Sequence, residues 1–311
     1  MDLKLFRTFI QVAEAGTLTK ASDQLRIAQP ALSRHIKLLE REIGLELFNR
    51  SPRGMQLTSA GKELLERISG LVRQIDQSII DLRLSASQIT GQVILGVMAS
   101  ASGVLPGRIV RRTASELPGI SLRIIEGSSS RLGEWLQRGE IDISMLYEAS
   151  AGKNVHAIPL ISENFLLIGP SGAALRSDKP VNFMRLPDYD LVMTRSTRGV
   201  RSIVDKEAAK AKLALRIRFE VDSFVVLKDL VAHGFGYTIL PGSALSSHER
   251  QKIFTTAPLT EPQMVRQIAL AYSSLRPLTF ATRAVADLII DENTRYTREL
   301  SSEITSMEHI R

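Results

Sequence analysis

The alternation of apolar and polar positions in the first sixty residues predicts three short helices followed by a hairpin. Apolar residues recur at helical spacing over residues 3–13, Gly16 ends that helix, and Thr17 is placed to cap the next one. Pro30 suits the first turn of a third helix, where no N–H donor is lost. The inward side of this third helix carries Ala31, Leu32, Ile36 and Leu39. Residues 45–57 then read as two strands around a tip, which completes the pattern of a winged helix-turn-helix.

The opposite side of the third helix is polar and carries Gln29, Ser33, Arg34 and Lys37. Glutamine and arginine pair with the edges of adenine and guanine, whereas lysine and serine suit the phosphate backbone. Arg50 and Arg53 at the hairpin tip are placed to enter a minor groove or to contact phosphates. An ordinary solvated helix face is the alternative explanation. We predict that residues 1–57 form a DNA-binding domain whose partner is double-stranded DNA.

Residues 58–90 are predicted to form one long linker helix, which Thr58 caps. One stripe of this helix is apolar at steps of four and three residues, a spacing typical of a two-helix coiled coil. The stripe consists of Leu64, Ile68, Leu71, Ile75, Ile79 and Leu82. Packing against the chain's own core is the alternative. A helix this long favours a dimer, and the two DNA-binding domains of a dimer (its two reading heads) then select an inverted repeat.

From residue 91 onward, short apolar strands alternate with helices, which indicates an α/β fold with buried parallel strands. The strands are expected at 93–98, 122–125, 141–146, 165–168, 191–193 and 217–221. The helices between them are expected at 104–116, 129–138, 199–212 and 223–232. This regulatory region is predicted to span 91–300, and the polar tail 293–311 is expected to extend a final helix or to fray.

Polar residues follow the predicted strands where ligands of α/β folds bind, at the carboxyl ends. They are Ser100, Ser102, Ser128 and Ser129 in one half and Thr194, Arg195 and Thr197 in the other. Hydroxyl groups and free N–H groups at helix N-termini favour anions, and Arg195 adds a counter-charge, so we expect a small anionic effector such as a carboxylate. Helix capping is the alternative role of each single Ser or Thr. Tyr147, Asp222 and Phe224 are further candidates for the wall of this cleft.

The composition contains no pattern typical of an enzyme. Cysteine is absent, which excludes thiol catalysis and cysteine-bound zinc, and five histidines are scattered without a pair at ligand spacing. Neither a G-x-S-x-G elbow nor a P-loop occurs. We therefore expect no catalytic residue, no metal and no cofactor. A net charge of +7 favours an anionic partner. Without a signal-peptide pattern or an apolar run of about 18 residues, the protein is expected to be cytoplasmic with no membrane partner.

Between Ala21 and Gly61 the chain carries, in order, A-x-x-Q-L, Q-P-A-L-S-R-x-I-x-x-L-E, G-x-x-L-F-x-R and L-T-x-A-G. This run strongly resembles the LysR-type transcriptional regulators, and the downstream domain order extends the resemblance to nearly the whole chain. The resemblance implies that Gln29, Pro30, Ser33 and Arg34 lead DNA contact, with Arg53 in the wing. His35 stands where many members carry Gln, and a base contact there would change the preferred site.

The resemblance also implies the architecture of the C-terminal half. Two Rossmann-like lobes, as in a periplasmic solute-binding protein, would comprise residues 91–161 with 268–292 (lobe I) and residues 162–267 (lobe II). The chain would cross between lobes near 161–163 and 261–268. Dimers are expected to pair into tetramers, and ligand closure of the lobes would alter DNA bending and the access of RNA polymerase.

Three other functions stay open at this point. An enzyme with a site assembled from distant residues is one, and a pure solute-binding protein is another, which the winged helix opposes. The third is a DNA-binding regulator whose cleft binds nothing.

Overall fold

The computed structural model describes residues 2–51, 54–83, 89–103, 105–195 and 199–308. The chain divides near residue 88 into two compact units, an N-terminal unit and a C-terminal unit. The predicted sites Arg53 and Thr197 lie outside the described residues, as do residues 84–88 at the end of the predicted linker helix. No helix of the described part is long and apolar enough to cross a membrane.

The N-terminal unit contains the three helices and the hairpin that the sequence predicts. The helices are α1 (Leu3–Ala15), α2 (Leu18–Leu25) and α3 (Gln29–Ile43), and the antiparallel strands are β1 (Phe48–Ser51) and β2 (Gly54–Leu57). Gly16 ends α1 in the left-handed conformation, and the Thr17 hydroxyl accepts from the N–H of Lys20 to cap α2. Phe9, Leu32, Leu39 and Leu47 are fully buried in the core. The predicted winged helix-turn-helix is confirmed.

The long helix α4 (Ser59–Arg83) follows the hairpin, and its apolar stripe is divided. Leu64 and Ile68 pack against the core of the N-terminal unit. Further along, Leu71, Ile75 and Ile79 are 50%, 43% and 39% exposed. The first half of the stripe therefore packs on the chain's own core. The second half is exposed apolar surface, and its coiled-coil contact with a second copy stays a prediction.

The first lobe of the C-terminal unit is a parallel sheet with one antiparallel strand. Its strands are β3 (Gly91–Met98), β4 (Ile120–Gly127) and β5 (Ile143–Tyr147), with β3 paired in parallel to both others. The helices are α5 (Leu105–Glu116) and α6 (Ser129–Arg138). Strand β12 (Val265–Ser273) returns late in the chain and pairs antiparallel to β5. These elements enclose one hydrophobic core together with the final helix α10 (Phe280–Glu308).

Strand β6 (Val155–Pro170) connects the two lobes. Its first half pairs with β12, and its second half pairs with β10 (Thr238–Pro241) and β11 (Phe254–Thr260), all antiparallel. The prediction that 165–168 is a parallel strand is therefore wrong. A continuous apolar run shows that a strand is buried, but burial does not fix its direction, and the sequence pattern also missed β10, β11 and β12.

The second lobe has a separate core, formed by residues between Phe165 and Met264. A parallel pair, β8 (Leu191–Thr194) and β9 (Ile217–Val221), lies beside helices α7 (Val200–Lys210) and α8 (Phe224–Ala232). The short strand β7 (Val181–Asn182) pairs with β11, and helix α9 (Ser247–Lys252) precedes β11. Two separate cores joined by β6 give the two-lobed architecture that the resemblance implies.

The predicted polar tail continues α10 as far as Glu308, which is one of the two outcomes expected from the sequence. Glu292 and Asn293 are buried, and the amide of Asn293 donates to the carbonyl of Leu160 at 3.0 Å. Arg108 of α5 forms ion pairs with both Glu292 and Glu299. The sequence indicated few apolar anchors here, and the structure shows that ion pairs hold this part of the helix instead.

Candidate functional site

The outer face of α3 presents the polar residues that the sequence singled out. Gln29, Pro30, Arg34 and Lys37 are exposed, and Ser33 is half-buried. Leu32, Ile36 and Leu39 on the inner face are buried, so the two faces of the helix are cleanly separated. The hydrogen-bonding groups of the outer face therefore point away from the protein core.

The N-terminal end of α3 is open. Pro30 lies in its first turn, Ala28 at the N-cap position makes no side-chain capping bond, and no acidic residue lies in the first turn. The positive end of the helix dipole at this end favours an anion such as a phosphate group. This end of α3 is suited to lie against a nucleic-acid backbone.

Several residues of the LysR-like run build the scaffold of the hairpin instead of facing outward. The Glu40 carboxylate accepts from the N–H groups of Leu47 and Phe48, at 2.9 and 3.2 Å. The Thr58 hydroxyl accepts from the N–H of Gly61 at 3.0 Å and so caps α4. A Cβ on Gly61 would lie only 2.1 Å from the Leu47 carbonyl oxygen, so this position requires glycine. These residues fix the hairpin against α3 and α4.

His35 packs inward. It is half-buried, and its Nδ1 lies 3.0 Å from the Thr8 hydroxyl on α1. This inward position of His35 therefore does not support a contact between His35 and a DNA base. The hairpin is attached to the α1–α2 turn, where the N–H of Met55 donates to the Gly16 carbonyl at 2.9 Å. Arg50 belongs to β1, next to the hairpin tip.

A cavity of about 500 Å³ lies between the two lobes of the C-terminal unit. Five of the seven predicted effector residues line it, namely Ser100, Ser102, Ser128, Ser129 and Thr194. The further candidates Tyr147, Asp222 and Phe224 line it as well. The expectation that ligands bind at the carboxyl ends of strands therefore identified residues of both lobes that line one cavity.

Arg195 is not among the described residues that line this cavity, so its contact with an effector stays a prediction. Its side chain is exposed and its N–H donates to the carbonyl of Val221 at 3.2 Å. Arg195 stands directly after β8, where the peptide still pairs with the neighbouring strand. Because side chains alternate along an extended backbone, the side chain of Arg195 points to the side opposite that of Thr194.

All four of the predicted serines already have hydrogen-bond partners within the protein. Ser129 is 7% exposed, and its hydroxyl accepts from the N–H of Tyr147 at 2.9 Å. The Ser100 hydroxyl accepts from the Arg266 guanidinium at 2.7 Å. The hydroxyl of Ser102 donates to the carbonyl of Ala99, and Ser128 caps α6 through the N–H of Arg131 at 3.4 Å. The capping alternative thus holds for Ser128.

Arg266 is the cation that the sequence pattern missed. It is 3% exposed and donates to Glu163 at 2.6 Å and to the carbonyl of Ser100 at 2.9 Å. Ser243 joins the same network, with its N–H donating to the other Glu163 oxygen at 2.8 Å. Burial lowers the pKa of Arg266, and the Glu163 carboxylate opposes that shift. We name Glu163, Arg266, Ser100 and Ser243 the crossing network, because it joins both crossing strands to both lobes.

A second cation of the cavity wall, Lys228 on α8, is also paired. Its ammonium donates to Glu249 at 2.7 Å. Burial alone would raise the pKa of Glu249, but its hydrogen bonds with Lys228 and Ser246 outweigh burial and hold the pKa below its ordinary range.

An arginine within a largely apolar strand is the signal that could have identified Arg266, since an unpaired buried charge is strongly disfavoured. The sequence around Lys228 gave no comparable indication that this residue lies in the cavity wall.

Two carboxylates of the cavity wall have no side-chain partner among the described residues. Glu126 is the penultimate residue of β4 in lobe I and Asp222 follows β9 in lobe II, and both are exposed. Neither carboxylate forms an ion pair or a side-chain hydrogen bond within the described part of the chain. The described residues contain no group of three His, Asp or Glu side chains arranged to hold a metal ion.

Both halves of the chain are similar to known family models. Residues 3–62 match the model described as bacterial regulatory helix-turn-helix protein, lysR family, and residues 86–294 match the LysR substrate binding domain. The chain is 28% identical over 291 residues to the nitrogen assimilation regulatory protein Nac of Klebsiella aerogenes. That alignment covers 93% of this chain and 94% of the relative.

Solved structures of full-length proteins share the fold. A full-length OxyR variant from Pseudomonas aeruginosa is similar with a TM-score of 0.73 at 23% identity, covering 93% of this chain and 97% of that one. Full-length CbnR in complex with its target DNA gives a TM-score of 0.69 at 18% identity, covering 95% of this chain and 99% of that one.

Proposed function

This chain belongs to the LysR family of DNA-binding transcriptional regulators and carries that family's effector-binding domain. On that premise we propose how it reads DNA and what it senses. Gln29, Pro30, Ser33, Arg34 and Lys37 on α3 contact the major groove and its phosphates, and Arg50 and Arg53 of the hairpin contact the neighbouring backbone or minor groove. The observation that carries this proposal is the exposed polar face at the open N-terminal end of α3.

Arg34 is the residue that we expect to contribute most to sequence discrimination, because arginine makes a bidentate pair with guanine. The test is competition binding on genomic fragments selected with the purified protein. Arg34→Ala should weaken specific binding by roughly 1–3 kcal/mol, and its preference for the selected fragment over random DNA should fall. Arg41→Ala removes the same charge near the far end of the same helix and should keep that preference. Unchanged discrimination in Arg34→Ala would exclude this residue from base reading.

The protein is proposed to act as a dimer through the second half of the α4 stripe. Leu71, Ile75 and Ile79 expose apolar side chains at coiled-coil spacing, and a second copy of the helix would cover them. Paired reading heads bind two half-sites of an interrupted inverted repeat, which multiplies a weak half-site affinity. In keeping with the oligomers of the family, we propose that two dimers pair into a tetramer.

The cavity between the lobes is proposed to bind a small carboxylate-bearing effector. Support comes from Ser100, Ser102, Ser128, Ser129 and Thr194, which share one cavity built from both lobes. Closure of the lobes on the ligand changes DNA bending at the promoter and thereby the access of RNA polymerase. Such a shift requires that the effector bind the closed and open states with different affinity.

A further inference from the structure

We propose that the effector carries a protonated amine beside its carboxylate, as an α-amino acid does. This inference rests on the proposed function of the cavity between the lobes. We base it on the charged side chains of the cavity wall and on the ion pairs that they form.

The cations of the described wall are already neutralised. Arg266 is paired with Glu163, and Lys228 is paired with Glu249. A ligand that carried only a negative charge would have to compete with these internal carboxylates for either cation. Among the described residues, the cavity therefore offers no unpaired cation as counter-charge for a simple carboxylate.

The unpaired charges of the described wall are negative. Glu126 and Asp222 reach the cavity from different lobes, and each lacks a side-chain partner within the described chain. Two carboxylates on opposite walls repel each other as the lobes approach. A ligand ammonium group between them turns that repulsion into attraction, which links amine recognition to lobe closure.

The carboxylate of such a ligand finds neutral donors instead of a cation. Helix α6 of lobe I and helix α8 of lobe II both begin at the cavity. Within the described structure, the N–H groups of Phe224 and Val225 have no acceptor. N–H groups at a helix N-terminus bind anions without a full positive charge.

The hydroxyl group of Thr194 supplies a further contact. Thr194 is 6% exposed, lines the same cavity, and its hydroxyl makes no hydrogen bond within the described residues. The Thr194 oxygen is not among the fully enclosed polar atoms, so this hydroxyl group is open to the cavity and can bond to a ligand. Donors for a carboxylate and acceptors for an ammonium group thus line one cavity.

The test is calorimetric titration of the full chain with the twenty α-amino acids and with the matching carboxylates that have hydrogen in place of the amino group. Pairs such as phenylalanine and 3-phenylpropionate, or aspartate and succinate, differ only in the amine. We expect at least one amino acid to bind at least tenfold more tightly than its deamino partner. Glu126→Gln and Asp222→Asn should each remove most of that difference.

Glu134→Gln serves as the matched control, because Glu134 is an exposed carboxylate of lobe I that does not line the cavity. It should leave the preference for the amino acid unchanged. Far-UV circular dichroism of each variant separates loss of binding from loss of folding, and Thr194→Val should weaken both members of a pair.

The outcomes separate this inference from the function on which it rests. Carboxylates that bind as tightly as their amino acids would overturn the inference that the cavity recognises an amine, and so would a preference that survives both Glu126→Gln and Asp222→Asn. Either result would leave the proposal of a carboxylate effector intact. No binding of any member of either panel would overturn the effector proposal together with the inference.

Discussion

The crossing network makes a quantitative prediction for Glu163→Gln. The side chains of Glu163 and Arg266 are only 8% and 2% exposed, so their charges are compensated by each other and not by water. Removing one partner of a buried ion pair costs about 3–5 kcal/mol, because the remaining charge stays buried. Arg266 keeps its bonds to Ser100, at 2.7 and 2.9 Å, which moderates the loss. We expect a destabilisation of about 3 kcal/mol.

Glutamine at position 163 also cannot reproduce the hydrogen bonds that Glu163 accepts. Both Glu163 oxygens accept, one from Arg266 and the other from the N–H of Ser243. Glutamine has one oxygen, so its NH2 group must face one of these donors. For a domain of about 200 residues, a loss of about 3 kcal/mol lowers the melting temperature by roughly 6–12 °C.

Urea unfolding followed by tryptophan fluorescence measures this loss of stability in the C-terminal unit, which contains Glu163 and Arg266. The single tryptophan is Trp135, which packs against the core of lobe I in the C-terminal unit. Asp188→Asn is the matched control, since Asp188 and Arg185 form an exposed pair, with 57% and 69% exposure, that should contribute less than about 1 kcal/mol.

Arg266→Met combined with Glu163→Gln should recover part of the loss, because replacing both charges removes the uncompensated one. If Glu163→Gln unfolds within about 0.5 kcal/mol of the unmodified protein, the buried pair is not a main support of the junction between the lobes.

Three further predictions concern other parts of the chain. Gly61→Ala should destabilise the N-terminal unit by about 3 kcal/mol in urea unfolding followed by circular dichroism, because the new methyl group collides with the Leu47 carbonyl. Ile75→Asp should weaken the dimer in analytical ultracentrifugation at least tenfold, because the charge would lie in the apolar seam. Arg112→Gln should lower the melting temperature most near neutral pH, and the difference should close in acid. Hydrogen bonds with Arg112 hold the pKa of Glu116 and Asp291 below their ordinary values of 4.5 and 3.8, so that contribution is present above these values and is lost as the pH falls through the lowered ones.

The first two of these predictions each have a control variant. Gly107→Ala adds a methyl group in α5 that meets no atom closer than 3.8 Å, so it should not destabilise the protein. Ser78→Asp places a charge at an exposed position of α4 and should leave the dimer intact. A gap in melting temperature that does not narrow at any pH below the ordinary pKa values of these carboxylates would contradict the ion-pair explanation for Arg112. A dimer unaffected by Ile75→Asp would exclude the α4 seam.

The N-terminal fold was predictable from sequence because its signals are local. Gly16 in the left-handed conformation, the Thr17 cap and the early Pro30 each act within one turn of the chain. The inward and outward positions of α3 follow from a period of 3.6 residues, which needs no knowledge of distant contacts. His35 escaped this reasoning because its contact, Thr8, lies on another helix.

The C-terminal half was predictable as an α/β fold but not in its strand directions. Positions such as Ser100 and Thr194 were found because strand ends and ligand sites coincide in this fold class. Arg266 could not be assigned to the cavity from its neighbours in sequence, since its partner Glu163 lies 103 positions away. Arg195 was selected with Thr194 although only Thr194 lines the described cavity, because the rule selects a stretch of chain and not the direction of each side chain.

The most direct test of the central claim is footprinting of the purified protein on the intergenic DNA beside its own gene and on genomic fragments selected by the protein, with the salt concentration varied. Two paired reading heads predict protection over two or more helical turns, with two half-sites on one side of the duplex and affinity that falls steeply as salt rises. Arg34→Ala should lose this pattern while Arg41→Ala retains it. A single short protected site, or protection that is identical on random DNA, would contradict a dimeric, sequence-reading regulator.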